Sequence, residues 1–386
     1  MLSELPEEAE IVTTAPYVPA FLVRWVRRRD TVASRLIEEE ASHASAASSE
    51  ESLRRRIWSR AFLWVRKYVF VPDRERLWKR TAVAEAGKIF ASCKADALYT
   101  TSPPYSVHLI GLALKRRYGL SWIADFRDQW ATNVGFNPFL KNPYRRWREQ
   151  RMERRVVEAA DWVIAVTEPA AEDFRSRYPQ HASKICVLPN GFDEADFGSM
   201  DGVGQDRNKF RVRSFGSIGS GRRPDAVLRA FESLRGSPVW RDLEVEFFGL
   251  FGYDQRPWRE VLKDKVRFVR HIPHAEVARE MRRAGALFVF QCVRGSANFA
   301  VPGKLYECGR AAVPVIGGVE GGPTKDIIER YGLGWACYSE DASAIAGALQ
   351  EAHAMWRRGV RTQPAKEFFE VFDRKELTRN LATLLS

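Results

Sequence analysis

Four short stretches carry residue types suited to handling an anionic leaving group and a hydroxyl. In "KFRVRSFGSIGSGRRPD" a strand pattern ending on Gly216 runs into a turn with Gly219, Arg222 and Arg223, and a helix pattern opens near Pro224. Glycines let backbone amides approach a phosphate, and two guanidiniums supply paired donors. In "VPGKLYECGRAA", Gly303 precedes a helix whose start holds Lys304, with Glu307 one turn later on the same face. A lysine beside a helix start makes a cationic spot for a diphosphate, and a carboxylate next to it can accept hydrogen bonds from a ribose diol. An intrahelical Lys–Glu pair is the plainer alternative. The loop before it, "QCVRGSANFAVPG", is long and made mostly of small residues, Asn298 among them, so it can wrap a ligand.

Two further stretches suit an acceptor. "SWIADFRDQW" ends a strand with Asp125, Arg127 and Asp128. Asp125, inside the strand, needs a partner such as Arg127 or a backbone amide, whereas Asp128 lies where it could orient or deprotonate a hydroxyl. "DALYTTSPPYSVHL" stops a strand at Ser102 and its prolines and begins a helix near Ser106, with His108 in the first turn. Exposed amides at such a start attract anions.

These residues all follow strands, so the elements matter. Candidate strands are 10–14, 96–101, 121–126, 161–166 and 184–189, then 209–216, 243–249, 266–269, 286–290, 313–317 and 334–337. Helical patterns over 105–118, 142–160, 224–235, 275–284 and 341–357 alternate with them. Such alternation means βαβ units and parallel sheets covered by helices, hence an α/β protein of two Rossmann-like doubly wound domains. The Gly-, Asp- and Asn-rich stretch 188–210 reads as the hinge, giving domains 1–195 and 196–361. Ligands of such sheets sit beyond the carboxyl ends of strands.

Composition narrows the class. With 386 residues, 45% hydrophobic and 28% charged, the chain has material for two ordinary cores. Cysteines 93, 186, 292, 308 and 337 form no CxxC pair and no zinc spacing, which points to a reducing cytoplasm. No apolar run reaches membrane-spanning length, and the acidic start is unlike a signal peptide. Sixty-one basic residues face 49 acidic ones, and the excess is uneven. Residues 51–80 hold ten basic and three acidic side chains, and residues 115–155 hold eleven and four. This bias predicts an anionic partner, with a solvated basic face as the alternative. Segments 52–70 and 21–29 mix arginines with aromatics in a pattern that suits a membrane interface, while 38–52 reads as a loop. No nucleic-acid-binding module is recognisable, so nucleic acid is not expected as a partner.

Taken in order, "TSPPYSVHL", "GLSWIADFRDQW", "VTEPAAEDFRSRYP", "VLPNGFDEADF", "FGSIGSGRRPD", "VPGKLYECGRAAVPVIGG" and "GLGWAC" resemble the group 1 (family 4) nucleotide-sugar glycosyltransferases of GT-B fold, over roughly residues 90–340. The resemblance implies two domains facing across a cleft, donor nucleotide on the C-terminal one, Glu307 on the ribose, and Arg222 or Arg223 with Lys304 on the diphosphate. It also implies no bound metal or other cofactor, retention at the anomeric carbon, and a C-terminal helix, 362–386, packed back on the first domain. A saccharide or lipid-linked acceptor would place the protein in cell-surface polysaccharide or glycolipid synthesis, cytoplasmic or peripheral on the inner membrane face. Two departures stand out. The residue eight before Glu307 is Phe299, where the family often has a second glutamate. The family's opening strand and glycine-rich loop have no counterpart here, so the N-terminal domain is expected to be incomplete, with a sheet edge poorly covered. That departure favours one rival reading, an impaired GT-B scaffold that binds a membrane surface or a partner. A sugar-nucleotide epimerase of the same shape would need more histidines and carboxylates after its strands.

Overall fold

The computed structural model describes residues 12–14, 64, 67–135, 137–198, 203–219, 222, 224–270, 272–291 and 299–385. Arg223, Asn298, segment 21–29 and most of 52–70 lie outside the described residues. The described chain is α/β, with ten strands in two sheets.

The first sheet has the order β1-β2-β3-β4, from β1 (Ala97–Ser102), β2 (Ser121–Phe126), β3 (Trp162–Ala165) and β4 (Ile185–Val187). β1 and β2 run parallel, Ala97 facing Ser121 and Ser102 facing Phe126. β1 stands at the edge and leaves Tyr99 exposed, while five of the six residues of β2 are buried, as its apolar run requires. The candidate strand at 10–14 is described only over 12–14, which hold no strand.

Helices α1 (Lys79–Ser92), α2 (Ser106–Tyr118) and α3 (Pro143–Ala159) pack successively on one another. α2 stops at Gly119, whose φ of 70° accepts the left-handed turn, after three basic residues that complement the helix dipole. α3 begins on Asn142, whose side chain accepts from the Arg145 amide at 3.0 Å, with Pro143 in the first turn. α4 (Glu168–Arg177) is capped by Thr167.

The second sheet has the order β10-β9-β8-β5-β6-β7. Its strands are β5 (Phe210–Phe215), β6 (Leu243–Phe248), β7 (Val266–Val269), β8 (Ala286–Phe290), β9 (Val315–Val319) and β10 (Gly334–Tyr338). All five neighbouring pairs are parallel. Its helices are α5 (Asp225–Ser233), α6 (Pro238–Asp242), α7 (Arg256–Leu262), α8 (His274–Arg283), α9 (Lys304–Arg310), α10 (Pro323–Arg330), α11 (Ala342–Arg358), α12 (Lys366–Phe372) and α13 (Arg374–Thr383). Period-two alternation splits β8 between two cores. Phe288 and Phe290 join Phe210, Phe231 and Trp356, while Leu287 and Val289 join Leu305, Ile328 and Phe368. β9 starts two residues later than its sequence pattern suggests. Pro314 has no amide to donate and only its carbonyl pairs, accepting from Leu287 N at 2.8 Å.

The chain divides into two compact units, residues 1–132 with 139–163, and 133–138 with 164–386. The dividing point thus falls at 163/164, against 195/196 in the sequence reading. Residues 188–198 lie in the second unit, as do α12 and α13. Phe192 stacks on Phe368 at 5.8 Å, its amide donates to the Phe372 carbonyl at 3.0 Å, and its own carbonyl accepts from Arg374 N at 3.0 Å. Phe368 and Phe372 continue against Tyr331 and Tyr306.

Candidate active site

Read from its first strand, the second sheet has the order 3-2-1-4-5-6. The chain reverses direction of travel between β5 and β8, and the crevice beyond their carboxyl ends is the place where a doubly wound sheet binds its ligand.

The turn after β5 is held by the loop after β6. Gly216 N donates to the Phe248 carbonyl at 2.8 Å, Ile218 N to Leu250 O at 2.8 Å, and Gly252 N to Ile218 O at 2.7 Å. The Tyr253 hydroxyl donates to the carbonyls of Gly219 (3.1 Å) and Arg222. Gly216 has φ 105°, and a Cβ at either Gly216 or Gly219 would point into open space, so the backbone of this turn is approachable. Arg222 donates to Ser217 O within the turn. Pro224 sits at the N-cap, one residue before the helix proper.

After β8, α9 begins on Lys304 with Gly303 at its N-cap. Lys304 Nζ donates to Glu307 Oε2 at 2.5 Å, with side-chain exposures of 33% and 12%. The intrahelical pair, the plainer alternative, is thus formed. Beneath it, Cys308 is fully buried, and that burial pushes its thiol well above the usual range.

A second glycine turn was missed in the sequence. "VEGGPTKD" ends β9 and opens α10, with Gly321 at φ 102° and Gly322 at φ 69°. Buried Gln291, the residue after β8, holds it by accepting from Glu320 N at 2.8 Å and donating to Gly321 O at 3.3 Å. Paired glycines before a proline at a helix start were the available signal. Elsewhere in this unit, a cavity of about 280 Å³ is lined by Arg211, Arg213, Glu246 and Glu280. Those charges are already paired, Arg213 Nε meeting Glu246 Oε2 at 2.6 Å and Arg211 pairing with Asp206 and Glu244.

In the first unit, Asp125 is buried and its Oδ2 accepts from Tyr99 (2.5 Å), Thr101 (3.0 Å) and Arg127 Nε (2.9 Å). Arg127 is thus committed to Asp125. Asp128 has different surroundings: burial pushes its carboxyl up to about 6. Beside it, Tyr105 stacks on Trp130 at 5.2 Å and donates to Gln129 O at 2.6 Å.

His108 does lie in the first turn of α2, and there it faces the interior. It is fully buried, its Nδ1 2.8 Å from Thr100 Oγ1 and its Nε2 2.9 Å from Ser102 Oγ. Burial lowers its pKa to about 3, so the ring is neutral. The helix start at Ser106 is also taken, for the Asp73 carboxylate accepts from Ser106 N at 2.9 Å and from its hydroxyl. An anion does sit there, and it belongs to the chain itself.

α3 holds the loop after β2. Arg145, Glu149 and Glu153 share its inner face, at most 2% exposed. Glu149 accepts from Trp130 Nε1 at 2.8 Å and from Arg145, and Glu153 accepts from Ala131 N at 2.9 Å. Arg145 also donates to the carbonyls of Lys67 (3.0 Å), Phe70 (3.1 Å) and Pro72. Among the described residues, no helix is long and apolar enough to cross a membrane, and no cluster of His, Cys, Asp and Glu is placed to hold a metal.

Residues 22–196 match the family model for Glycosyltransferase Family 4. No curated protein matches the chain in sequence. The fold is shared with a sucrose-phosphate synthase from Thermosynechococcus elongatus, at 18% identity and TM-score 0.59, over 81% of this chain and 79% of that one. It is shared also with a UDP-forming α,α-trehalose-phosphate synthase from Burkholderia vietnamiensis, at 13% identity and TM-score 0.56, over 84% and 81%. An E. coli structure described as trehalose-6-phosphate bound with UDP-2-fluoro glucose superposes at 12% identity and TM-score 0.59, over 85% and 83%.

Proposed function

From a chain of GT-B fold that carries a family 4 glycosyltransferase domain over residues 22–196, we propose transfer of a sugar from a nucleoside-diphosphate donor to a hydroxyl acceptor. The observation that carries the donor half is the switch point: the Gly216–Arg222 turn and the helix bearing Lys304 and Glu307 follow neighbouring strands β5 and β8. UDP is the first nucleotide to test, because the similar trehalose-phosphate synthase is described as UDP-forming.

Diphosphate departs as negative charge grows on its bridging oxygen. Lys304 and Arg222 are cations suited to meet it, in place of a metal, and the sequence adds Arg223 beside them. Nucleotide binding draws the Lys304 ammonium toward phosphate and frees Glu307 to accept from the ribose hydroxyls, exchanging one partly exposed pair for two ligand contacts. Removing one such donor lowers turnover roughly a hundredfold. The anomeric configuration is retained, as the resemblance to the family implies.

On the acceptor side Asp128 takes part, oriented by the α3 clamp. Its raised carboxyl suits a group that accepts a hydroxyl proton near neutrality. Among the described residues the buried Gln129 Nε2 beside it has no hydrogen-bond partner, and it offers a donor to a polar acceptor. A saccharide or lipid-linked acceptor of surface polysaccharide synthesis fits this reading. The test is thermal: UDP or GDP raises the unfolding temperature, and Glu307→Ala cuts that rise by about half or more. Absence of any shift with every nucleoside diphosphate refutes the donor reading.

A further inference from the structure

The basic bias of residues 115–155 acquires a direction once α3 is seen in three dimensions. Two acidic residues of that helix, Glu149 and Glu153, turn inward and are fully buried. Of the arginines only Arg145 joins them; Arg151, Arg154 and Arg155 are exposed on the opposite face, where Glu158 is the one exposed acid. The outer face is therefore more cationic than the sequence count suggests. At the amino end of the same face an aromatic row is exposed, with Trp64 58% exposed, Tyr144 51% and Trp147 54%. Trp64 meets Tyr68 at 5.4 Å, Tyr68 meets Tyr144 at 6.2 Å, and Tyr144 meets Trp147 at 6.1 Å.

We infer that this outer face of α3, with Trp64 and Tyr68, is a docking surface for an anionic lipid bilayer. Rings with a polar edge, exposed among cations, partition to the headgroup region, and each nearby cation adds attraction to anionic lipid. Ring geometry decides against the other polyanion that uses aromatics and arginines. Single-stranded nucleic acid needs open ring faces on which bases stack. Here the faces have cations over them already: Lys67 over Tyr68 at 5.2 Å, Arg148 over Tyr144 at 5.7 Å and Arg151 over Trp147 at 5.8 Å. Partitioning into a bilayer interface needs only buried area and charge, and this face offers both.

The inference deepens the lipid-linked acceptor reading but does not depend on the donor site, so the two fail separately. The full chain is floated with vesicles of phosphatidylcholine containing about one-third phosphatidylglycerol, and with phosphatidylcholine alone. UDP-induced thermal shift is recorded on the same preparations. Recovery with the anionic vesicles, weakened by salt, is expected. Arg151→Gln with Arg155→Gln should weaken partitioning about thirtyfold, and Trp147→Ala by at least about tenfold. Because the altered side chains are exposed, unfolding midpoints of these variants should match the wild type. Three results overturn the proposal: no recovery at low salt, equal recovery of wild type and variants, or binding to single-stranded nucleic acid with none to vesicles. Loss of the UDP shift with vesicle binding intact would refute the donor reading alone.

Discussion

Replacing Glu307 with alanine separates a nucleotide ligand from a surface ion pair. Among the described residues the carboxylate pairs with Lys304, whose side chain is a third exposed. An intrahelical pair of that kind contributes about 0.3–0.5 kcal/mol. Unfolding temperature should therefore fall by only about 1–2 °C in a unit of this size. Nucleotide is another matter. A carboxylate accepting from a ribose hydroxyl contributes about 1.5–3 kcal/mol, so its removal weakens binding about 13- to 160-fold. At UDP a hundred times its dissociation constant, the wild type gains about 2.7 kcal/mol. The variant, under the same conditions, gains about 1.3 to 0.3 kcal/mol. Differential scanning fluorimetry with and without UDP measures both quantities, and titration calorimetry checks the affinity. A variant that keeps the full UDP shift shows that Glu307 does not touch the nucleotide. A variant whose unliganded midpoint falls by many degrees shows that the carboxylate is chiefly structural.

Three further outcomes are expected. Asp128 must lose its proton to accept another, so kcat/KM should rise as pH passes about 6. Asp128→Asn should abolish that limb and lower turnover while the UDP shift persists, and loss of the shift would contradict the acceptor assignment. Glu149→Gln leaves buried Arg145 without its counter-charge, which should cost about 3–5 kcal/mol in urea unfolding; a cost below about 1 kcal/mol would show that the loop does not depend on this pair. His108 is held neutral, its folded pKa of about 3 lying below the ordinary 6.5. Its contribution to stability is present above pH 6.5 and is lost as pH falls from there toward 3, and His108→Leu should flatten that part of the stability–pH curve.

Strand positions were legible because buried parallel strands read as short apolar runs, and β2, β7 and β8 fall on the residues their patterns mark. Lys304 at a helix start was legible from the Pro-Gly turn before it. What escaped depends on partners far along the chain. Asp73 reaches Ser106 across 33 positions, and no local pattern announces that a helix start is already filled. His108 sits on the buried side of α2 because β1 places Thr100 and Ser102 on either side of its ring, a matter of register that local propensity does not encode. The inward turn of Glu149 and Glu153 was hidden because buried acids look like surface acids until their donors, Trp130 and the Ala131 amide, are known. The Gly321–Gly322 turn was readable from its paired glycines before Pro323.

Phe368 fills the space left by Gly309, where a Cβ would come within 2.5 Å of its ring, and Phe372 seats Tyr306. Helix α9, which carries Lys304 and Glu307, thus rests on a floor supplied by residues some sixty positions downstream. On the proposed donor reading, the grip of α9 on a nucleotide has no firm base during synthesis until α12 has emerged and packed beneath it. Proteolytic clipping ahead of Phe368 should accordingly abolish the UDP-induced thermal shift although the clip spares every residue proposed to meet the nucleotide.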